Sequence, residues 1–220
     1  LSVTVPFKEE IIPLCGWTEE AVRAIGACNT VTPGPEGLRG CNTDAEGFLA
    51  PLRKLYGGGG AGFLGGLRAA VIGAGGSARS AVYALAREGA RVLVLNRTPE
   101  RARRLTEDLA GSLGLPEGVL LWAELDDAGH RERENYPDLL VNTTTMGMHP
   151  WEDLDPLEGR SLAGTGTVYD IVYSPRDTLL LRRAAGAGCR TIHGEEMLLS
   201  QAYRQFHLYT GREYPGPAFP

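Results

Sequence analysis

With 220 residues, 43% of them hydrophobic and 22% charged, the chain can bury a sizeable core, which excludes wholesale disorder. Its net charge of −5 argues against a nucleic-acid partner, and no apolar run reaches the length of a bilayer span, so no membrane partner is expected either. Cys15, Cys28, Cys41 and Cys189 form no CxxC pair and the four histidines share no ligand spacing. That usage points to a reducing, cytoplasmic address without a metal.

In chain order, residues 1–5 alternate apolar and polar side chains and predict a strand ended by Pro6. A short helix is predicted over 18–25, with Thr18 as N-cap and Glu19 and Glu20 in its first turn, where the helix dipole favours acids. A second helix is predicted over 47–56, interrupted or started by Pro51. Residues 57–66 hold seven glycines and predict a linker between domains.

From Leu67 onward, β and α patterns alternate. Strands are predicted at 69–72, 91–95, 119–122, 139–141, 167–172 and 190–192. Helices are predicted over 77–88, stopped by Gly89, and from Pro99 after the N-cap Thr98, with apolar residues at 102, 105 and 109. Residues 123–136 are highly charged and read as an exposed connection; 195–209 read as an amphipathic helix. The alternation calls for an α/β fold, a Rossmann-like doubly wound parallel sheet with helices on both faces. The domain reading is residues 1–56 as part of a smaller α/β domain, 57–66 as linker, 67–193 as the dinucleotide-binding domain, and 194–220 as a returning C-terminal helix.

Between the first strand and helix of that domain, Gly73-Ala74-Gly75-Gly76-Ser77-Ala78 fits GxGxxA. The first glycine suits a tight turn, the second lets the backbone approach a pyrophosphate, and Ala78 allows close helix–sheet packing. Free N–H groups at the helix start favour the anion. NAD sites usually carry an Asp or Glu about 20 residues further on. Here the second strand ends Asn96-Arg97-Thr98, with Arg101 following, and no acid. Guanidinium forks match a phosphate, so the cofactor reads as NADP. The bland alternative makes Arg97 and Arg101 surface arginines paired with Glu100 or Glu107.

Further motifs go beyond a generic dinucleotide fold: Val3-Thr4-Val5-Pro6-Phe7-Lys8, Gly26-Ala27-Cys28-Asn29-Thr30, Asn42-Thr43-Asp44, Tyr169-Asp170-x-x-Tyr173, and Gly194-x-x-Met197-Leu198-x-x-Gln201-Ala202. With the glycine loop and Asn96-Arg97-Thr98-x-x-Arg101, they run in the order of the shikimate/quinate dehydrogenase family, which the chain resembles over essentially its whole length. The resemblance implies NADP-dependent, reversible reduction of 3-dehydroshikimate to shikimate in aromatic amino acid (chorismate) biosynthesis, by a monomer or homodimer. It implies Lys8 as the catalytic lysine with Asp44 as its partner, and Thr4, Asn29, Tyr173 and Gln201 on the substrate. Ile171 and Gly194 would line the nicotinamide end of the cofactor.

The chain departs from the family pattern at Ala45, at Glu196 and in Asn142-Thr143-Thr144-Thr145, and it holds no Ser-x-Ser for the substrate carboxylate. With an opening at Leu1, that reads as a substrate domain lacking its N-terminal part. Quinate dehydrogenase and a non-catalytic quinate- or shikimate-sensing module are the alternatives; an intact Lys8 and Asp44 speak against the module.

Overall fold

The structure, a computed structural model, describes residues 1–58 and 60–215; Gly59 in the expected linker and residues 216–220 of the expected closing segment lie outside the described residues. The first lobe holds a 3-10 turn at Ile12–Leu14, β1 (Trp17–Thr18), α1 (Glu20–Ile25), β2 (Thr30–Gly34), β3 (Gly37–Cys41) and α2 (Asp44–Tyr56). Its sheet runs β1-β3-β2, with β2 and β3 an antiparallel hairpin that the sequence reading did not anticipate.

The second lobe holds β4 (Arg68–Ile72), α3 (Gly76–Arg87), β5 (Arg91–Asn96), α4 (Pro99–Leu113), β6 (Leu120–Glu124), α5 (Asp127–Arg133), β7 (Leu139–Asn142), β8 (Thr167–Asp170), α6 (Leu179–Gly186) and β9 (Arg190–His193). All six strands are parallel, in the order β6-β5-β4-β7-β8-β9. β4 sends Ala69 and Val71 into one core and Ala70 and Ile72 into the other; β5 divides Val92 and Val94 from Leu93 and Leu95 in the same way. A sheet covered on both faces explains why its strands read as unbroken apolar runs. The strand order reverses between β4 and β7, and a crevice for ligand opens there, beyond the carboxyl ends of the strands. A final helix, α7 (Gly194–Thr210), packs back onto α2 of the first lobe.

Four local expectations change. Residues 1–5 form only an isolated bridge, Ser2 to Thr30, because the Thr4 carbonyl is turned back to accept from the Phe7 N–H at 2.9 Å. Thr18 is not a helix cap: it pairs with Gly40 of β3, and α1 starts after Glu19. α2 starts at Asp44 and carries Pro51 in its interior, losing one backbone bond there while burying Phe48, Leu49 and Leu52. Residues 123–136 are not simply an exposed connection. Asp126 caps α5 by accepting from Gly129 N at 2.8 Å, and Gly129, His130, Arg133 and Tyr136 are buried. Within the glycine-rich segment, Leu64 is buried in the larger core and Gly62 N donates to Glu88 Oε2 at 2.8 Å.

α2 and α7 approach through Gly47. A Cβ there would lie 2.7 Å from Gln201 Cβ, 2.9 Å from Gln201 N and 3.0 Å from Met197 O. Backbone atoms cannot swing aside, so a methyl must push the helices apart. Gly47→Ala is therefore expected to destabilise the protein by about 1–3 kcal/mol, more than the gain of about 1 kcal/mol in helix propensity. A denaturant midpoint equal to or above that of the wild type would show that the contact is slack.

Candidate active site

Lys8 follows the turn after Pro6, and its backbone carbonyl accepts from Cys28 N at 2.7 Å, which fixes it beside Asn29, the residue before β2. Asp44 is the first residue of α2, where the helix dipole favours a carboxylate. Their side chains meet in a buried ion pair, Nζ to Oδ2 at 2.6 Å, with both residues under 10% exposed. The other Asp44 oxygen accepts from Asn29 Nδ2 at 2.8 Å. Asn29 Oδ1 in turn accepts from Thr43 N and Thr30 Oγ1, each at 2.8 Å, and Gln201 Oε1 from Thr43 Oγ1 at 3.2 Å. Both Asp44 oxygens and two of the three ammonium donors are partnered, as a buried charge requires.

This network borders a cavity of about 310 Å³. All of the expected substrate residues, Thr4, Lys8, Asn29, Asp44, Tyr173 and Gln201, line it, as do Ile171, Gly194 and Ser77. Sequence reasoning missed Gln205, which also lines the cavity and donates to Thr30 Oγ1 at 2.9 Å. It stands four residues after Gln201, hence on the same face of α7, and that spacing was the available signal.

A second cavity of about 490 Å³ adjoins the glycine loop and shares Lys8 and Val5 with the first. Ala74, Gly75, Gly76 and Arg101 line it, together with Arg79 and Arg104, which the sequence reading had not singled out. Arg104 lies three residues beyond Arg101, on the same face of α4. Asn96, Arg97 and Thr98 are not among its lining residues: Asn96 Nδ2 donates to Thr98 O at 2.9 Å and shapes the turn, and Arg97 is exposed. Of the bland pairings considered for the two arginines, Glu107 binds Arg103 instead, at 3.0 Å.

The loop fits an anion. Gly73 has φ +112, and a Cβ on it would stand 2.5 Å from Thr143 Oγ1, so only glycine makes this turn. Open space lies over Gly75, and no side chain caps the start of α3, leaving its N–H groups for a pyrophosphate. The guanidinium groups of Arg101 and Arg104 along the same cavity suit a further phosphate, whereas that of Arg79 is tied to Asp108 Oδ2 at 3.0 Å and to the Ile25 carbonyl.

Asp170 ends β8 inside the second lobe. Its Oδ1 accepts from Asn142 Nδ2 and Val172 N, both at 3.0 Å, and its Oδ2 from Thr178 Oγ1 at 2.7 Å. These bonds brace the segment bearing Ile171 and Tyr173. The unusual Thr-rich loop after β7 is also satisfied, with Thr143 Oγ1 on Ile72 O at 2.7 Å and Thr144 Oγ1 on Asn142 Oδ1 at 2.7 Å.

Fold and cleft together define a two-lobed, dinucleotide-dependent oxidoreductase. The chain belongs to the shikimate/quinate dehydrogenase family. Its residues 61–117 match the family described as shikimate / quinate 5-dehydrogenase, and residues 1–31 match the shikimate dehydrogenase substrate-binding domain. The NADP(+) shikimate dehydrogenase of Moorella thermoacetica is 45% identical over 97% of this chain and 70% of its own. Shikimate 5-dehydrogenase of Thermus thermophilus, solved with NADP(H) and shikimate, superposes with a TM-score of 0.76 at 34% identity, covering 96% of this chain and 73% of that one. Quinate dehydrogenase of Corynebacterium glutamicum, solved with NAD, gives 0.81 at 30% identity, over 97% and 73%.

Burial raises the Asp170 carboxyl from 3.8 to about 6, against the opposing pull of its hydrogen bonds from Thr178, Val172 and Asn142. The folded protein thus holds this proton more tightly than the unfolded chain. The associated stability is fully present below pH 3.8 and is lost as pH rises through about 6. The loss is on the order of 3 kcal/mol. Asp170→Asn, which cannot ionise, should gain stability relative to the wild type across that window. Thermal melts of both proteins over the pH series check this; a constant difference in Tm would contradict it.

Proposed function

We propose that the protein is an NADP-dependent shikimate dehydrogenase, catalysing the reversible reduction of 3-dehydroshikimate to shikimate in chorismate biosynthesis. The observation that carries the reading is the buried Lys8–Asp44 pair, placed where the first cavity meets the glycine loop. Residues 1–56 with the returning α7 act as the substrate side, and 67–193 as the cofactor side, joined through 57–66. Four free cysteines, three of them buried, suit the cytoplasm.

NADPH, when bound, supplies a hydride to the carbonyl carbon. The chain would hold it with the backbone of residues 73–77 at the pyrophosphate, with Arg101 and Arg104 at the 2′-phosphate, and with Ile171 and Gly194 near the nicotinamide. Asn96, Arg97 and Thr98 shape that end of the site. Lys8 donates an N–H to the substrate carbonyl oxygen. As the C=O π electrons collect on that oxygen, the proton leaves Nζ and completes the hydroxyl, giving a neutral amine that regains a proton from solvent. Asp44 compensates the ammonium charge in a site where water cannot. Thr4, Asn29, Tyr173 and Gln201 present hydroxyl, amide and phenol groups to the ring hydroxyls.

NADP is preferred to NAD because no carboxylate stands at the end of β5, and arginines line the adjoining cavity. Shikimate is preferred to quinate because the curated relatives that match nearly the whole chain, at up to 45% identity, are NADP(+) shikimate dehydrogenases.

Two experiments test this. Lys8→Ala should lower turnover by roughly 10²–10⁴-fold and leave the NADP dissociation constant close to that of the wild type; Asp44→Asn should follow it. Turnover is recorded as NADP reduction with shikimate and with quinate in parallel, and near-normal turnover by the Lys8 variant would sink the mechanism. Arg101→Ala should weaken NADP by roughly 10- to 150-fold with little change for NAD, measured by titration. A parallel shift of both constants would remove the NADP assignment.

A further inference from the structure

The stem of Lys8 lies directly on the glycine loop. A Cβ built on Gly76 would stand 3.1 Å from both Cβ and Cδ of Lys8. At the end of that stem, Nζ donates to Asp44 Oδ2 at 2.6 Å and to Ser77 Oγ at 3.0 Å. An ammonium carries three N–H donors. Two are thus taken, one by each lobe, and tetrahedral geometry fixes the direction of the third. Lys8, Asp44 and Ser77 all border the same cavity, so that third donor has the cavity as its outlet.

A second contact supports the same arrangement. Ser80 follows Ser77 by three residues, on the same face of α3, and is fully buried. Asn42 Nδ2 donates to its hydroxyl at 3.0 Å, and Asn42 Oδ1 accepts from Ala45 N at 3.1 Å, at the start of the helix that Asp44 opens. One face of α3 therefore steadies both members of the ion pair, Lys8 through Ser77 and Asp44 through Asn42. The Ser77 hydroxyl is not used as a helix cap.

We propose that Ser77 is a positioning residue for the reaction: its hydroxyl aims the Lys8 ammonium, while its backbone N–H remains at the start of α3 for the cofactor pyrophosphate. The inference rests on the dehydrogenase reading above and deepens it. The lysine stem packs on Gly76 and its hydroxyl partner is Ser77, two consecutive residues of the glycine loop, so the loop that would hold the phosphates also sets the lysine's aim.

Ser77→Ala and Ser77→Thr test this. In the alanine variant kcat for shikimate should fall about 10-fold or more, the value of a hydrogen bond to a charged group. The NADP dissociation constant should stay within about twofold. Threonine, which keeps the hydroxyl, should restore most of the rate. A readout independent of turnover uses the two lysines of the chain, Lys8 and the exposed Lys54. Amine acylation of the ligand-free protein, quantified by peptide mass, should raise the Lys8-to-Lys54 ratio about threefold or more in Ser77→Ala once the hydroxyl no longer holds the amine. An unchanged kcat, or an unchanged labelling ratio, overturns the proposal. So does a loss of NADP affinity as large as the loss of kcat, which would assign the hydroxyl to the cofactor. A wild type that binds NADP but oxidises no shikimate sinks the reaction reading instead, and the labelling ratio still decides the Ser77–Lys8 link.

Discussion

The Lys8–Asp44 ion pair is the constraint on which the rest of the arrangement depends. Removing two charges from water costs several kcal/mol for each, and mutual attraction repays this only when the remaining hydrogen-bonding capacity is met. Here it is met from four places in the chain: Asn29 on the Asp44 oxygen, Ser77 on the ammonium, Thr43 and Gln201 around Asn29. None of these elements is adjacent to Lys8 in sequence. The pair draws on α2, the residue before β2, α3 and α7, so its surroundings come from both lobes.

Topology explains how elements so far apart converge. The six-stranded sheet reverses its strand order between the paired neighbours β4 and β7, and the glycine loop and the Asn142 loop flank that point. α7 then leaves the second lobe directly after β9 and crosses back to α2, carrying Gln201 and Gln205 to the first lobe. The small residue at the crossing, Gly47, brings Gln201 within hydrogen-bonding range of the groups preceding Asp44. A bulkier crossing would leave the same residues present and the network open. Position in the fold, more than residue identity, makes Gln201 a site residue.

Much of this was legible in the sequence, for identifiable reasons. The six strands of the large sheet announce themselves because burial on both faces demands unbroken apolar runs, and α3 and α4 because Gly89, Thr98 and Pro99 mark their ends. The β2–β3 hairpin was missed: Thr30–Gly34 and Gly37–Cys41 carry glycines and a proline where branched apolar residues would signal strands. α5 was hidden by its charge, since only Gly129, His130 and Arg133 are buried and none is a conventional apolar marker. α6 went unread although Thr178 caps it by accepting from Leu181 N at 3.2 Å. Lys8 and Asp44 were legible only through the resemblance of their motifs, because a lysine after a turn and an acid at a helix start have ordinary explanations. Arg104 needed the helical register of α4, which places it beside Arg101 where a motif read linearly stops short.

The two buried carboxylates of the cleft show how differently the same group can be held. Asp44 lies at a helix start against a lysine ammonium, so its charge is answered by a charge. Asp170 has a hydroxyl, an amide and a backbone N–H, all neutral, and burial outweighs them, raising its carboxyl to about 6. Neutral donors are nonetheless the right partners for its position. Asp170 ties Val172 and Thr178 on either side of Tyr173, so it holds backbone and side chain of one loop without a long cationic partner. Asp170 is thereby a brace whose contribution to stability falls as pH rises through about 6, whereas Asp44, answered by a charge, borders the cavity itself.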